Sequence, residues 1–508
     1  MKKYINWISV IILLLVIIGT TIFLKNCTYT NDDWWTAFFD RDFIELFLLS
    51  DQGLVLSWFT MKICAHTLPE IFHMHPQQNI LMSIIKGINV ALLIFIFSKF
   101  FNLKDKKNPN PIIIIFNTII LFSIFFLVDV SELMLINVHF KYLFNLVLGF
   151  MIWAVWYKEF LNDEFLLNKN RLRDCIFSII LVFCGHLVNI PSIIMFSSLL
   201  MYKIHSKNLN EIYENFKKLV KNIYPMVLVY IVGILAYLNL PGFKIVREHR
   251  VPQESILYYS MTHFSNFSEK FFQNIFSNYY IYALFILTIV GFIGLFIFKK
   301  KIDKKYIIIS LSIFVANFVF MYSLLTCGTT YYDNKSYWFA SIQIMFTFLF
   351  YLILCCNIIY GCLYRLIDKR KCKILFILVC FALINIAYPA NIVINAMKST
   401  YYYERNQQIY IYKLNKIFRY YALKGDTIYV PKDYDIGINA ILGGHVLYFA
   451  IKNMELLYKT NPKKFIIMDK IINENELFTE EELRKIDFKK LYDDNFILQM
   501  KEPKFSEE

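Results

Sequence analysis

The chain has 508 residues, 57% of them hydrophobic, with a mean hydropathy of +0.47 and a formal net charge of +14. An ordinary soluble domain is about 45–50% apolar; here the excess is gathered into uncharged runs of about 17–24 residues, long enough to cross a roughly 30 Å hydrocarbon core, which excludes that class. The basic residues sit in short loops between apolar runs and form no patch with interleaved aromatics, so no nucleic-acid partner is expected.

Met1-Lys2-Lys3 opens an apolar run to Leu24. The run is too long for a signal-peptide core, and no small-x-small cleavage site follows it. It reads as an uncleaved first span with its N-terminus inside. A long first outer loop follows, residues 25–78. Near its start stands Asn31-Asp32-Asp33-Trp34-Trp35, two adjacent carboxylates followed by two indoles. Residues 34–49 and 53–71 are apolar with charges at helical spacing, too interrupted to span, and are expected as helices in the interface. The loop is the acidic patch of an otherwise basic protein.

The next spans are expected at 79–101, 111–129 and 141–158. A doublet at 174–188 and 189–204 is hinged at Gly185-His186-Leu187-Val188-Asn189-Ile190-Pro191. Each half is short for a crossing, which suits a hairpin dipping in from the cytoplasmic side or two short tilted spans. A basic amphipathic segment (205–222), a span at 223–240 and a second large outer loop (241–278) come next. Spans at 279–298, 306–325, 337–360 and 374–396 complete the set.

With the doublet counted twice, this is an all-α polytopic membrane protein of about eleven transmembrane helices. Lys and Arg number about two dozen in the inner segments and about nine in the outer loops. Residues 1–396 form the transmembrane domain, and 397–508 a small α+β tail on the outer face, with short strands at Asp426–Pro431 and Phe465–Met468. Of ten cysteines, Cys175, Cys184, Cys355, Cys356 and Cys380 lie in apolar runs as small hydrophobes. Cys27, Cys64 and Cys327 remain on the outer side, with room for one disulfide whose pairing the sequence does not fix.

Asp32 and Asp33 carry the chemistry of the reading. One carboxylate can take a proton from an acceptor hydroxyl while the other orients it or holds a divalent cation, Mg²⁺ or Mn²⁺. An acidic pair before an apolar helix also serves as an N-cap, and the two roles are compatible. Glu132, Asn137 and His139 occupy the short outer loop between the third and fourth spans. His186, at the hairpin hinge, is an ionisable group at depth. Each has a plain alternative as a hydrogen-bonded structural residue. No Gly-rich phosphate loop and no nucleophile elbow is present, which argues against nucleotide-driven chemistry and against a serine hydrolase.

A first span, then an outer loop with an acidic pair near its start, then two interfacial helices, resembles the GT-C superfamily of membrane glycosyltransferases over about the first 400 residues. The tail, with Tyr403-Glu404-Arg405 after the last span and then Gly425 and a Val-Pro strand, also looks like that of bacterial members. The resemblance implies an inverting enzyme of a bacterial cytoplasmic membrane that takes sugar from a polyprenyl-phosphate carrier on the outer face. Asp32 or Asp33 would be the base. The departing phosphate would be met by Lys335, Arg247, Arg250 and Arg405. Trp34, Glu132, His139 and His186 would line the acceptor cavity. The acceptor class is a surface glycan or glycolipid, such as a lipopolysaccharide O-chain or teichoic acid. Bacterial members often carry arginine where Lys335 stands, and lysine does not reproduce its bidentate grip on phosphate. The competing readings are a lipid-linked glycan transporter, which predicts internal repeats and charges buried mid-span, and an O-antigen polymerase, which predicts arginine-rich outer loops.

Overall fold

Several helix starts are written in asparagine. Asn110 accepts from Ile112 N at 3.0 Å with Pro111 in the first turn, Asn208 accepts from Asn210 N at 3.1 Å, and Asn278 from Tyr280 N at 3.0 Å. Each satisfies a backbone N–H that the first turn would leave bare at a membrane boundary. The computed structural model of the chain describes residues 2–25, 55–71, 80–103, 109–128, 139–164, 171–205, 208–241, 276–328 and 337–403. It also describes Leu133, Phe272 and the strand segments 427–431, 464–468, 471–472 and 505–506.

In chain order the helices are α1 (Lys2–Leu24), α2 (Val55–Lys62) running through a π turn (Ile63–Thr67) into α3 (Leu68–Ile71), α4 (Ile80–Phe101) and α5 (Pro111–Leu127). A second π turn (His139–Phe144) leads into α6 (Asn145–Leu161), followed by α7 (Arg171–Phe183), α8 (His186–Ile204) and α9 (Leu209–Leu238). The rest are α10 (Tyr279–Ile297), α11 (Lys304–Gly328), α12 (Tyr337–Arg365), α13 (Arg370–Ala387) and α14 (Ala390–Tyr403). Seven described helices are long and apolar enough to cross a membrane, or up to eight when the bent pair α13–α14 counts as one span. The chain is therefore an all-α multi-pass membrane protein in its main body.

Two of the roughly eleven expected spans are shorter helices among the described residues. α5 is apolar throughout but only 17 residues long, and α7 only 13. α7 and α8 are the two halves of the expected doublet. Gly185, at φ 78°, turns the chain between them in a backbone region that a side chain would strain. The tip lies level with the middle of the bundle. Leu187 O accepts from the Tyr351 hydroxyl at 2.9 Å, half-way along α12, and a Cβ on Gly149 of α6 would fall 2.3 Å from Val188 Cγ1. Pro191 explains the first contact: it has no N–H to give the carbonyl four residues back, so the tyrosine supplies the bond. From the tip, α8 descends alongside α6, with Trp153 Nε1 donating to Ser192 Oγ at 2.8 Å and ring contacts from Trp156 to Phe196 and from Phe160 to Tyr202. α7 climbs from Arg173, which grips Glu159 at the end of α6 through a fork of 2.6 and 3.0 Å. Both arms start and end at one end of the bundle, the hairpin form of the expectation.

That end is basic. Besides Arg173, Lys305 pairs with Asp163 at 2.7 Å, and Arg365 bonds the Tyr306 hydroxyl and reaches Phe101 O at 3.5 Å. These links tie the ends of α4, α6, α7, α11 and α12 together. Between them runs a core of aromatic side chains, with Phe97, Phe150, Tyr351 and Phe350 all fully buried around α12.

Two further expectations change. The amphipathic segment 205–222 and the span 223–240 are one 30-residue helix, α9, which continues through Pro225. The span expected at 374–396 is broken: Tyr388 sits at φ −133°, ψ 77°, as the residue before Pro389 must outside a helix, and α14 leaves at 49° to α13. Ala390 N donates to Asn385 Oδ1 at 3.4 Å, capping the new start.

In the tail, β1 (Thr427–Pro431) pairs in parallel with β2 (Lys464–Met468), and β3 (Ile471–Ile472) pairs antiparallel with β4 (Phe505–Ser506). The first two match the expected strands.

Candidate functional site

Besides the basic end, a second group of buried polar side chains lies near the opposite end of the bundle. That second group begins on α4. Lys86 and Asn89 lie one turn apart on the same helix face and are 4% exposed each. Gly87, between them, lets α4 approach α1: a Cβ there would meet Ile17 O at 2.9 Å. Asn89 Nδ2 donates to His139 Nε2 at 3.1 Å, which assigns the neutral imidazole's proton to Nδ1. Lys86 is about 22 Å along α4 from Phe101, which marks the basic end, and His139 precedes α6, whose first residue is about 21 Å from Glu159. The pair and the lysine therefore sit in the far half of the bundle.

Both π turns meet here. His139 opens one of them, and α2 packs against that turn while the π turn after α2 packs on α4. Met61 and Cys64 are buried beneath this lid, and burial pushes the Cys64 thiol up to about 11, so it stays protonated. π turns hold an extra residue per turn at a cost in hydrogen-bond geometry, and they recur at functional sites for that reason. Chemically, the group gathers an ammonium, an amide and an imidazole, each engaged within the protein, in a region of low dielectric.

His139 is thus brought into a buried cluster, which differs from its expected place in an open outer loop: it is 0% exposed and already helical. His186 stands at the hairpin tip as the first residue of α8. Asp32, Asp33, Trp34, Glu132, Asn137, Arg247, Arg250, Lys335 and Arg405 lie outside the described residues. Among the described residues no group of three His, Cys, Asp or Glu is gathered as a metal would require.

Lys86 has no place in the sequence expectation, which takes 79–101 as a charge-free span and mid-span ionisable residues as nearly absent. A lysine two turns into a predominantly apolar helix is the signal that points to it, since such a group is costly in a membrane and persists where it has a partner or a function.

A second polar centre is structural. Asn117 of α5 and Asn357 of α12 exchange amide hydrogen bonds at 3.0 and 2.8 Å, and Asn117 also donates to Ser98 Oγ at 3.0 Å. This clamp locks three helices where water is scarce. It backs an apolar crevice between α5, α10, α12 and α13, lined by Phe116, Leu284, Leu287, Tyr360 and Ile377.

No family model, no curated protein and no solved structure matches the chain.

Proposed function

We propose that the chain is a membrane glycosyltransferase that moves a sugar from a polyprenyl-phosphate carrier to a surface glycan or glycolipid. The observation that carries this reading is the buried Lys86–Asn89–His139 group under the helical lid that ends the acidic first loop. In this reading the lipid-linked phosphate lies near that cation, at the end of the bundle opposite the basic one. By the positive-inside rule that end faces outward, with the N-terminus cytoplasmic and a bacterial inner membrane as the setting.

In the proposed reaction the acceptor hydroxyl gives its proton to Asp32 or Asp33. Its oxygen forms the new bond to the anomeric carbon from the face opposite the phosphate. The anomeric C–O bond breaks and its electron pair leaves on the carrier phosphate, with inversion. Lys86 joins Lys335, Arg247, Arg250 and Arg405 as the cations that favour the departing charge. Asp32 and Asp33 supply the oxygen donors that Mg²⁺ or Mn²⁺ would take.

The test is transfer of radiolabelled sugar from polyprenyl-linked donors in membranes at matched protein levels. Asp32→Asn or Asp33→Asn is expected to lower transfer by about 10²-fold or more, and Lys86→Met by roughly tenfold. A chelator arm reads the cation. Full activity in both aspartate variants would make the pair a helix cap and remove the proposed base.

A buried intramembrane lysine and a half-crossing hairpin also suit a lipid-linked glycan transporter. Movement of lipid-linked glycan across reconstituted vesicles without any transfer would establish that second reading in place of the first.

A further inference from the structure

α9 is 30 residues long, about 45 Å, against a hydrocarbon core of roughly 30 Å. Its neighbours say where the surplus lies. Tyr230 bonds Asn189 near the hairpin tip, and a Cβ on Gly233 would lie 3.2 Å from Val182 Cγ2. From that level Arg173 is about 14 Å back along α7, whereas Leu209 is about 36 Å back along α9. The buried side chains of α9 stop at Leu219 in the same direction. The residues before Leu219, about three turns, therefore lie beyond the packed part of the bundle at its basic end.

This end of α9 is amphipathic. Leu209, Tyr213, Phe216, Val220 and Tyr224 recur at helical spacing along one exposed face, from 81% exposed at Leu209 to 40% at Val220. Higher on the same face stand Leu228, Ile231 and Leu235, which meet acyl chains within the span. Lys217, Lys218 and Lys221 flank the stripe on the side away from Leu219 and Ile223.

We propose that the first three turns of α9 bind the inner headgroup layer of the membrane, with the stripe resting at the acyl boundary and the three lysines on the phosphates of anionic lipids. Two features favour lipid over a protein partner. The stripe continues without interruption from the lipid-facing side of the span, and lysines on its border can lay their stems along the apolar layer and reach outward. A helix longer than the bilayer is thick meets this by tilting.

The test is hydrogen–deuterium exchange of the full chain in nanodiscs of phosphatidylcholine alone and with phosphatidylglycerol at roughly 2:1. Peptides covering 209–221 are expected to exchange about fivefold more slowly with phosphatidylglycerol. Lys217→Gln/Lys218→Gln/Lys221→Gln is expected to abolish that slowing while exchange over 226–238 stays the same, which reports an intact fold. Equal exchange in the two lipid mixtures would overturn the proposal. So would slowing that the triple variant retains, because the lysines would then have no part in it. Neither result bears on sugar transfer, which is read separately.

Discussion

α12 and α9 are both long helices, 29 and 30 residues, and both carry runs apolar enough to cross a membrane. Of the best run in α12, 89% is buried by other helices; in α9 the figure is 17%. Hydropathy does not separate them, because lipid and protein interior are equally apolar. The difference lies in a few small and polar side chains. α12 has Gly361 against the end of α4, Tyr351 against the hairpin and Asn357 against α5, each a specific contact with a different neighbour. α9 has one buried stripe and otherwise a broad exposed face.

The contrast can be broken most severely at Gly361. A Cβ there would fall 2.0 Å from Phe101 O, which is backbone and cannot step aside. Gly361→Ala should cost about 3 kcal/mol or more in mixed-micelle unfolding; an unchanged midpoint would show that α4 and α12 do not approach so closely. Next comes Tyr351→Phe, expected to cost about 1–2 kcal/mol because it leaves Leu187 O, already deprived of a helical partner by Pro191, unsatisfied in the core. Restoring an N–H with Pro191→Ala should make the tyrosine's loss milder, and a cycle over the two sites measures by how much.

The amide clamp is a smaller lever. Asn117→Leu and Asn357→Leu should each cost about 1 kcal/mol, with the double variant costing less than their sum. Strict additivity would mean the two amides do not depend on one another. Smallest of all, Ile231→Ala on the lipid face of α9 should stay within about 0.5 kcal/mol of the parent; a larger loss would mean that face has a partner.

Much of the helical frame is legible in the amino-acid sequence. Ile80–Phe101 and Tyr279–Ile297 fall within a residue of their expected bounds, because long, predominantly apolar runs end at charges or at asparagine caps. The hairpin is legible from Gly185 and Pro191. The fusion of 205–222 with the following span is not, since four lysines in the first half mask the continuity of the apolar stripe. Nor is the break at Pro389, where a run of hydrophobic residues hides a backbone constraint. Of the expected site, His139 lies in a buried polar group and His186 at the hairpin tip, while Asp32, Asp33 and the outer arginines fall outside the described residues. Lys86 and Asn89 are hard to see in the sequence because two lysines and an asparagine barely lower the hydropathy of a 22-residue span.

The bond from Tyr351 to Leu187 spans 164 residues of chain. At roughly 5–20 residues per second of synthesis, the hairpin is made about 8–33 s before the hydroxyl that completes it. Through that interval its proline-freed carbonyl has to find water or the insertion machinery instead. The hairpin is therefore an early-made, late-docked piece, and α12 closes the domain as it arrives.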